Sequence, residues 1–205
     1  MKKLFTVLIA VILALSLPGC NKQEAPQECV DMANRFINAY SYKNFESMYE
    51  MTNDKYPYLS GMYNKDEKVN AMLFDALTDN LEAKITGGND FGDTANVTLH
   101  IKTADAVTML GNIVSDFTNL YKQNPDSYKN LDMDAELEKI VSACTENPPM
   151  TERNSQIDFI KQDGKWVIES NVGIYDDLTG GFLTYYFDVN VLQNVGGQGT
   201  VEKNE

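Results

Sequence analysis

Between residues 29 and 40 the apolar positions Cys29, Met32, Ala33, Phe36, Ile37 and Tyr40 recur at three- and four-residue intervals, which predicts an amphipathic helix with one buried stripe. A shorter helix is expected over 44–51 with Phe45, Met48 and Tyr49 inward, and Ser41-Tyr42-Lys43 is short enough to fold the two into a helical hairpin. Tyr56-Pro57-Tyr58-Leu59 reads as a rigid connection. Beyond it, Val69, Met72, Leu73, Ala76 and Leu77 form a third helical stripe with a polar start at Asn64.

After Asn80 the period falls to two. Leu81, Ala83 and Ile85 alternate with Glu82, Lys84 and Thr86, and Ala95, Val97, Leu99 and Ile101 line one face of 94–102, so two strands with one dry face are expected. Gly87 to Asp93 reads as a long hairpin turn between them. Helical spacing returns over 104–122 through Val107, Leu110, Val114, Phe117 and Tyr121, with Thr103 as the expected cap, and again over 134–144 through Leu137, Ile140, Val141 and Cys144, stopped by Pro148-Pro149. Two more strands, 155–160 and 165–169, flank the Asp163-Gly164 turn, with Trp166 and Ile168 facing one way and Val167 the other. In the stretch 171–190, Leu178, Phe182, Tyr185 and Tyr186 permit a helix that Gly180-Gly181 would weaken by about 2 kcal/mol, and the run Phe182 to Phe187 fits a final strand equally well. Residues 193–205 carry no packing signal and are expected to be a loose tail.

The start of the chain has a different character. Lys2 and Lys3 precede an apolar run from Leu4 to Leu17, the layout of a secretory signal and too short for a membrane span. The run ends in Leu17-Pro18-Gly19-Cys20, which resembles the bacterial lipobox. The resemblance implies removal of residues 1–19, a mature N-terminus at Cys20 carrying acyl chains, and a location on the extracytoplasmic face of the cell membrane. Residues 20–28 would then be the lipidated cysteine and a short tether; Asn21 to Glu28 reach about 26 to 29 Å when extended. The remaining 29–192 is long enough for one domain.

Composition narrows the function classes. The chain has 205 residues and a formal charge of -13, and losing Lys2 and Lys3 leaves 15 basic against 30 acidic residues, a surface that repels nucleic acid and anionic lipid headgroups. With Cys20 taken by lipid, Cys29 and Cys144 are left in an exported chain, and either a disulfide or two separate apolar thiols fits. Two distant cysteines and one histidine do not make a zinc site, no run has calcium-loop spacing, and no phosphate-cradling glycine motif or other cofactor signature is present.

His100, the one histidine, alternates with Leu99 and Ile101 and is expected on the outer face of its strand, away from any pocket. Acidic pairs such as Asp66-Glu67, Asp132 with Asp134, and Asp176-Asp177 are expected to be solvated charges or helix caps, so no catalytic set is assigned. The eleven tyrosines are more informative, since each ring joins apolar area to a hydroxyl. Tyr40, Tyr49, Tyr58, Tyr175, Tyr185 and Tyr186 are the candidate ligand or partner contacts, against the alternative that they pack the core.

The order of elements, with a late strand pair carrying Asp163-Gly164-Lys165-Trp166-Val167-Ile168 and a following Leu178-Thr179-Gly180-Gly181, resembles the NTF2-like, cystatin-like superfamily, and among its members uncharacterised lipoproteins of Gram-positive gut bacteria. The resemblance implies an α+β cone in which a curved antiparallel sheet packs on the N-terminal helices, here with an inserted helical pair over 104–145. It implies a pocket at the wide end of the cone. Three functions follow as expectations: a lipid-anchored binding or accessory protein recognising a small ligand or an envelope protein, a cone-pocket isomerase, hydratase or dehydratase using an inward Asp, or a homodimeric envelope domain joined through the outer sheet face.

Overall fold

The computed structural model describes residues 24–53, 59–123 and 131–187. Its sheet contains β1 (Glu82–Asp90), β2 (Thr94–Ala104), β3 (Met150–Gln162) and β4 (Lys165–Ile168), all antiparallel and in chain order. Opposite Val97 of β2 stands Ile157, opposite Ala95 stands Phe159, and Phe159 in turn faces Ile168 of β4. These five side chains are at most 3 % exposed, together with Leu99 and Ile101. Burial of each large one is worth about 1.5 to 3 kcal/mol, and a one-residue slip would turn the whole set to water.

The cover for this face is helical. α1 (Gln27–Ser41) buries Cys29, Met32, Ala33, Phe36, Ile37 and Tyr40, the predicted stripe. α2 (Phe45–Glu50) starts at Asn44, whose Oδ1 accepts from the Ser47 N–H at 3.2 Å, and it buries Phe45 and Met48. α3 (Lys68–Asp79) contributes Phe74 to the same core and turns Ala76 and Leu77 toward a second cluster. That second cluster is completed by Ala106, Met109 and Ile113 of α4 (Ala106–Gln123) and Val141 of α5 (Met133–Glu146), the helical pair that joins β2 to β3. α6 (Val172–Leu178) returns to the sheet and buries Ile174, Tyr175 and Leu178. Among the described residues no helix is long and apolar enough to cross a membrane.

Several local expectations are corrected. The turn between β1 and β2 is short, because β1 continues past a bulge at Ile85 and Gly87 and pairs as far as Asp90. Gly88 makes this continuation feasible: a Cβ there would lie 2.3 Å from the Asn96 carbonyl oxygen and 2.7 Å from the Ala25 Cβ. The cap of α4 is Asp105, which accepts from the Thr108 N–H at 3.0 Å and its hydroxyl at 2.8 Å. Thr103 lies buried in β2, and its hydroxyl reaches the carbonyls of Leu77 at 3.4 Å and Leu178 at 3.2 Å, so it serves two helix C-termini where orphan carbonyls need donors. Residues 182–187 are helical, which resolves the choice left by the aromatic run. Gly180 and Gly181, at φ of 62° and 91°, separate that turn from α6, and a Cβ on Gly180 would lie 1.8 Å from the Ala104 oxygen.

Cys29 and Cys144 are free thiols, so the disulfide that their number allows is not formed. Cys29 sits in the cluster beneath α1 and Cys144 packs against the cluster of α3, α4 and α5, which places them in different cores. Burial, with the nearby Glu28 and Asp90 charges, pushes the Cys29 thiol from 9.0 to about 11 and keeps it protonated.

Candidate recognition surface

Among the described residues the space between the helices and the dry sheet face is packed with apolar side chains. Phe36, Tyr40, Met48, Leu59 and Phe74 meet Leu99, Ile101, Ile157, Phe159 and Ile168 in one cluster, each at most 2 % exposed. Among the described residues the fully buried polar side chains are Thr52, Thr78, Thr103 and Thr179. Tyr40 and Tyr175, two of the candidate contacts, belong to this core. Tyr175 meets Phe36 edge-on with ring centroids 5.7 Å apart. The Tyr40 hydroxyl is buried without a hydrogen-bond partner, and burial pushes its pKa far above the ordinary tyrosine range. Tyr49 and Tyr185 are half-buried, Tyr186 is exposed and stacks on Phe182, and Tyr58 and Cys20 lie outside the described residues.

The outer sheet face carries Thr98, His100, Lys102, Glu152, Asn154 and Gln156. His100 is on this face as expected, with Nδ1 3.2 Å from Asn154 Oδ1 and Nε2 3.6 Å from Glu152. β3 starts earlier than the expected 155, and its inner face is polar over the first half, where Arg153 lies opposite Ile101 and Ser155 opposite Leu99. Both side chains are bound by α6: the Ser155 hydroxyl donates to Asp177 Oδ2 at 2.6 Å, and Arg153 Nη1 stands 3.4 Å from Asp177 and 3.8 Å from Asp176. Asp176 also accepts the Thr184 N–H at 2.8 Å and its hydroxyl at 2.9 Å. The acidic pair expected in solvent is therefore a half-buried latch that holds α6 and the following helical turn against the sheet. It also guards an open edge, because β4 stops opposite Phe159 and leaves the earlier part of β3 without a strand neighbour on the side away from β2.

Two open grooves flank these elements. One, about 440 Å³, runs between β3 and α6 past Asn154, Gln156, Asp158, Asn171 and Asp177. In it burial raises the Asp158 carboxyl above its usual range, helped by the Glu169 charge and opposed by a hydrogen bond from Gln156. The other, about 550 Å³, lies between α1 and α2 and joins Arg35, Asn38 and Glu50 to Tyr42, whose ring is 83 % exposed. Neither Arg35 nor Tyr42 stood among the candidates, although the chain has only the arginines Arg35 and Arg153.

The larger surprise is α4. Its predicted stripe, Val107, Leu110, Val114, Phe117 and Tyr121, is not its buried face. Met109 and Ile113 are the residues that dock on α3 and α5, whereas Val107, Val114 and Tyr121 are 42 %, 56 % and 53 % exposed and Leu110 and Phe117 are half-buried. The exposed set repeats every seven residues, the spacing that lines one seam of a helix pair. Over these 18 residues the charged side chains are Asp116 and Lys122 alone, in a chain of net charge -13. Apolar area combined with charge depletion is the composition of an interface core.

No family model matches the chain, and no curated protein matches it. Among solved structures it is similar to a "putative lipoprotein (ycdA)" from Bacillus subtilis subsp. subtilis str. 168, at 16 % identity and a TM-score of 0.37, over 72 % of this chain. The likeness spans 45 % of that protein's length.

Proposed function

We propose that this chain is a lipid-anchored accessory protein on the extracytoplasmic face of a bacterial membrane, recognising an envelope protein through the exposed face of α4. Lipid attachment rests on the order Lys2-Lys3, the apolar run and Leu17-Pro18-Gly19-Cys20, with residues 1–19 as signal and 29–192 as one domain. An NTF2-like reading of that domain is supported by N-terminal helices on the dry face of an antiparallel sheet, with 104–145 as the elaboration.

The observation that carries the recognition reading is the seven-residue repeat of exposed apolar side chains on a nearly uncharged helix. A protein helix is the partner it fits: aromatic and branched side chains in a line suit another apolar ridge, and the shortage of lysine and arginine gives an anionic ligand nothing to pair with. A photo-crosslinking residue at Val114 in the full, lipidated chain in cells tests this. The expected product is a discrete adduct with one protein, lost on Leu110→Ser, and an adduct of twice the chain mass would identify a homodimer. A chain that stays uncrosslinked at Val114, with Tyr42 as the control position, would refute recognition through α4.

A second reading is favoured by the α1–α2 groove, where Arg35 and the Tyr42 ring could take a small ligand with an acidic group and a flat apolar body. Loss of binding on Arg35→Gln with binding to Tyr42→Ala retained would separate charge recognition from stacking.

A further inference from the structure

The domain has two distinct poles, and the position of Ala25 near the start of the described residues decides which one meets the bilayer. Ala25 already packs against the main core, so the chain length between Cys20 and the packed domain is residues 21–24 and not the whole of 21–28. Five Cα steps separate Cys20 from Ala25, a reach of about 18 Å at most. The Ala25 contact is Gly88 of β1, which lies three residues, about 10 Å of strand, before Phe91.

Phe91 stands in the short turn of residues 91–93 and is 65 % exposed. The turn is firmly held: Gly92 has φ 94°, its N–H donates to Asp90 Oδ1 at 2.8 Å, and the Phe91 N–H donates to the Thr94 carbonyl at 2.9 Å. The neighbouring hairpin ends at the same place. Thr94 pairs with Ile160, the Lys161 N–H donates to the Asp93 carbonyl at 3.0 Å, and Lys161 Nζ donates to the Gly92 carbonyl at 2.8 Å. The two turns, 91–93 and 163–164, therefore stand side by side next to the start of α1. The opposite end of α1, about 22 Å away along its axis, carries Tyr42, and Lys43 there reaches Asp75 of α3 at 2.8 Å.

We infer that the Phe91 turn is a second membrane contact, in which the Phe91 ring enters the headgroup region of the bilayer that holds the Cys20 lipid. The inference rests on the lipid anchoring proposed above. A ring 65 % exposed at the tip of a rigid turn is the geometry aromatic side chains use at a membrane interface, where apolar area is buried without drawing the backbone into hydrocarbon. Asp90, Asp93 and Asp163 flank it with Lys161 and Lys165, a charge mixture that stays at the level of the headgroups and lets the ring alone go deeper. A tether this short confines the turn to the bilayer surface, so a weak apolar contact suffices to orient the domain. The α1–α2 groove and the start of α4 then face away from the lipid, where a partner can reach them.

The experiment uses the full chain, processed and acylated, in phosphatidylcholine vesicles with and without brominated acyl chains. Phe91→Trp and Tyr42→Trp place a reporter at each pole, and Trp166 of the unsubstituted protein supplies the background to subtract. The expected result is a blue-shifted reporter at position 91 whose emission falls about two-fold with brominated lipid, and a reporter at position 42 that is unquenched. Equal quenching at both positions, quenching at 42 alone, or none at either overturns the inference while leaving the anchor in place. Mass spectrometry that finds no lipid on Cys20 overturns the anchor and this contact together.

Discussion

β2 and α4 are consecutive elements, separated only by Asp105, and both are amphipathic. In β2 every large apolar side chain is covered: Val97, Leu99 and Ile101 are at most 1 % exposed. In α4 half of the apolar surface is covered by α3 and α5, and the other half is left to solvent. A strand has two faces, so its alternation leaves one choice of which side is dry. A helix rich in apolar residues offers more than one stripe, because positions seven apart drift about 20° around the axis and share their flanks with a second set.

That difference has a direct consequence for stability. Leu99→Ala is expected to cost about 2 to 5 kcal/mol, through lost transfer energy and the cavity left between β2 and the helices. Val114→Ala removes a comparable branched side chain and is expected to change monomer stability by no more than about 0.5 kcal/mol. Urea unfolding of the two variants measures both. A large loss at Val114 would mean that the exposed stripe is covered within the chain, and would end the recognition argument.

The same contrast explains what the sequence revealed. The α1 stripe, the alternation of β1 and β2, and the Asp163-Gly164 hairpin were legible because local periodicity and turn chemistry determine them. The buried face of α4 was not, since the spacing of Val107, Leu110, Val114, Phe117 and Tyr121 fits a core stripe and an interface seam alike. The near absence of charge between residues 106 and 123 was a usable signal, and so was the scarcity of arginine. The partners of Arg153 lie 23 and 24 residues later in α6, and no local pattern announces such a contact. The tyrosine candidates divided for the same reason: Tyr40 and Tyr175 take part in long-range packing that residue type alone does not express.

Smaller effects should come from the latch. Asp177→Ala leaves Ser155 and Arg153 without their main acceptor in a half-buried setting and is expected to cost about 1 to 3 kcal/mol. Its local signature is loss of hydrogen-exchange protection over 172–187 before the sheet opens. Uniform loss across β2 and β3 would show instead that the latch belongs to the same cooperative unit as the sheet.

Gly111 sharpens the comparison from the side of α4. It lies mid-helix, and a Cβ added there meets nothing within 4 Å. Gly111→Ala is therefore expected to stabilise the isolated domain by about 1 kcal/mol, the ordinary penalty of a helical glycine. If a partner helix packs closely beside that position, the same methyl group weakens the complex. Stabilisation with unchanged crosslinking at Val114 would place the partner elsewhere on the stripe, and destabilisation would show that α4 is not helical in solution at this point.

The smallest effect concerns two carboxylates on opposite faces of β3. Asp177 reaches the inner face and meets a cation, whereas Asp158 lies on the outer face beside Glu169 and meets none among the described residues. Burial first, and the Glu169 charge second, raise the Asp158 pKa above its ordinary value of 3.8, although the Gln156 amide donates to Oδ1 at 2.7 Å. The folded chain thus holds this proton more tightly than the unfolded chain does, and the contribution of Asp158 to stability falls as pH rises from 3.8 through the folded value. Asp158→Asn removes that penalty while keeping an oxygen for Gln156. The variant should match the original protein below about pH 3.8 and gain on it by neutrality, as read from urea midpoints across that range. A gain that appears instead on acidification would reverse the sign and show that Asp158 is stabilised as the anion, by a cation brought to the β3–α6 groove.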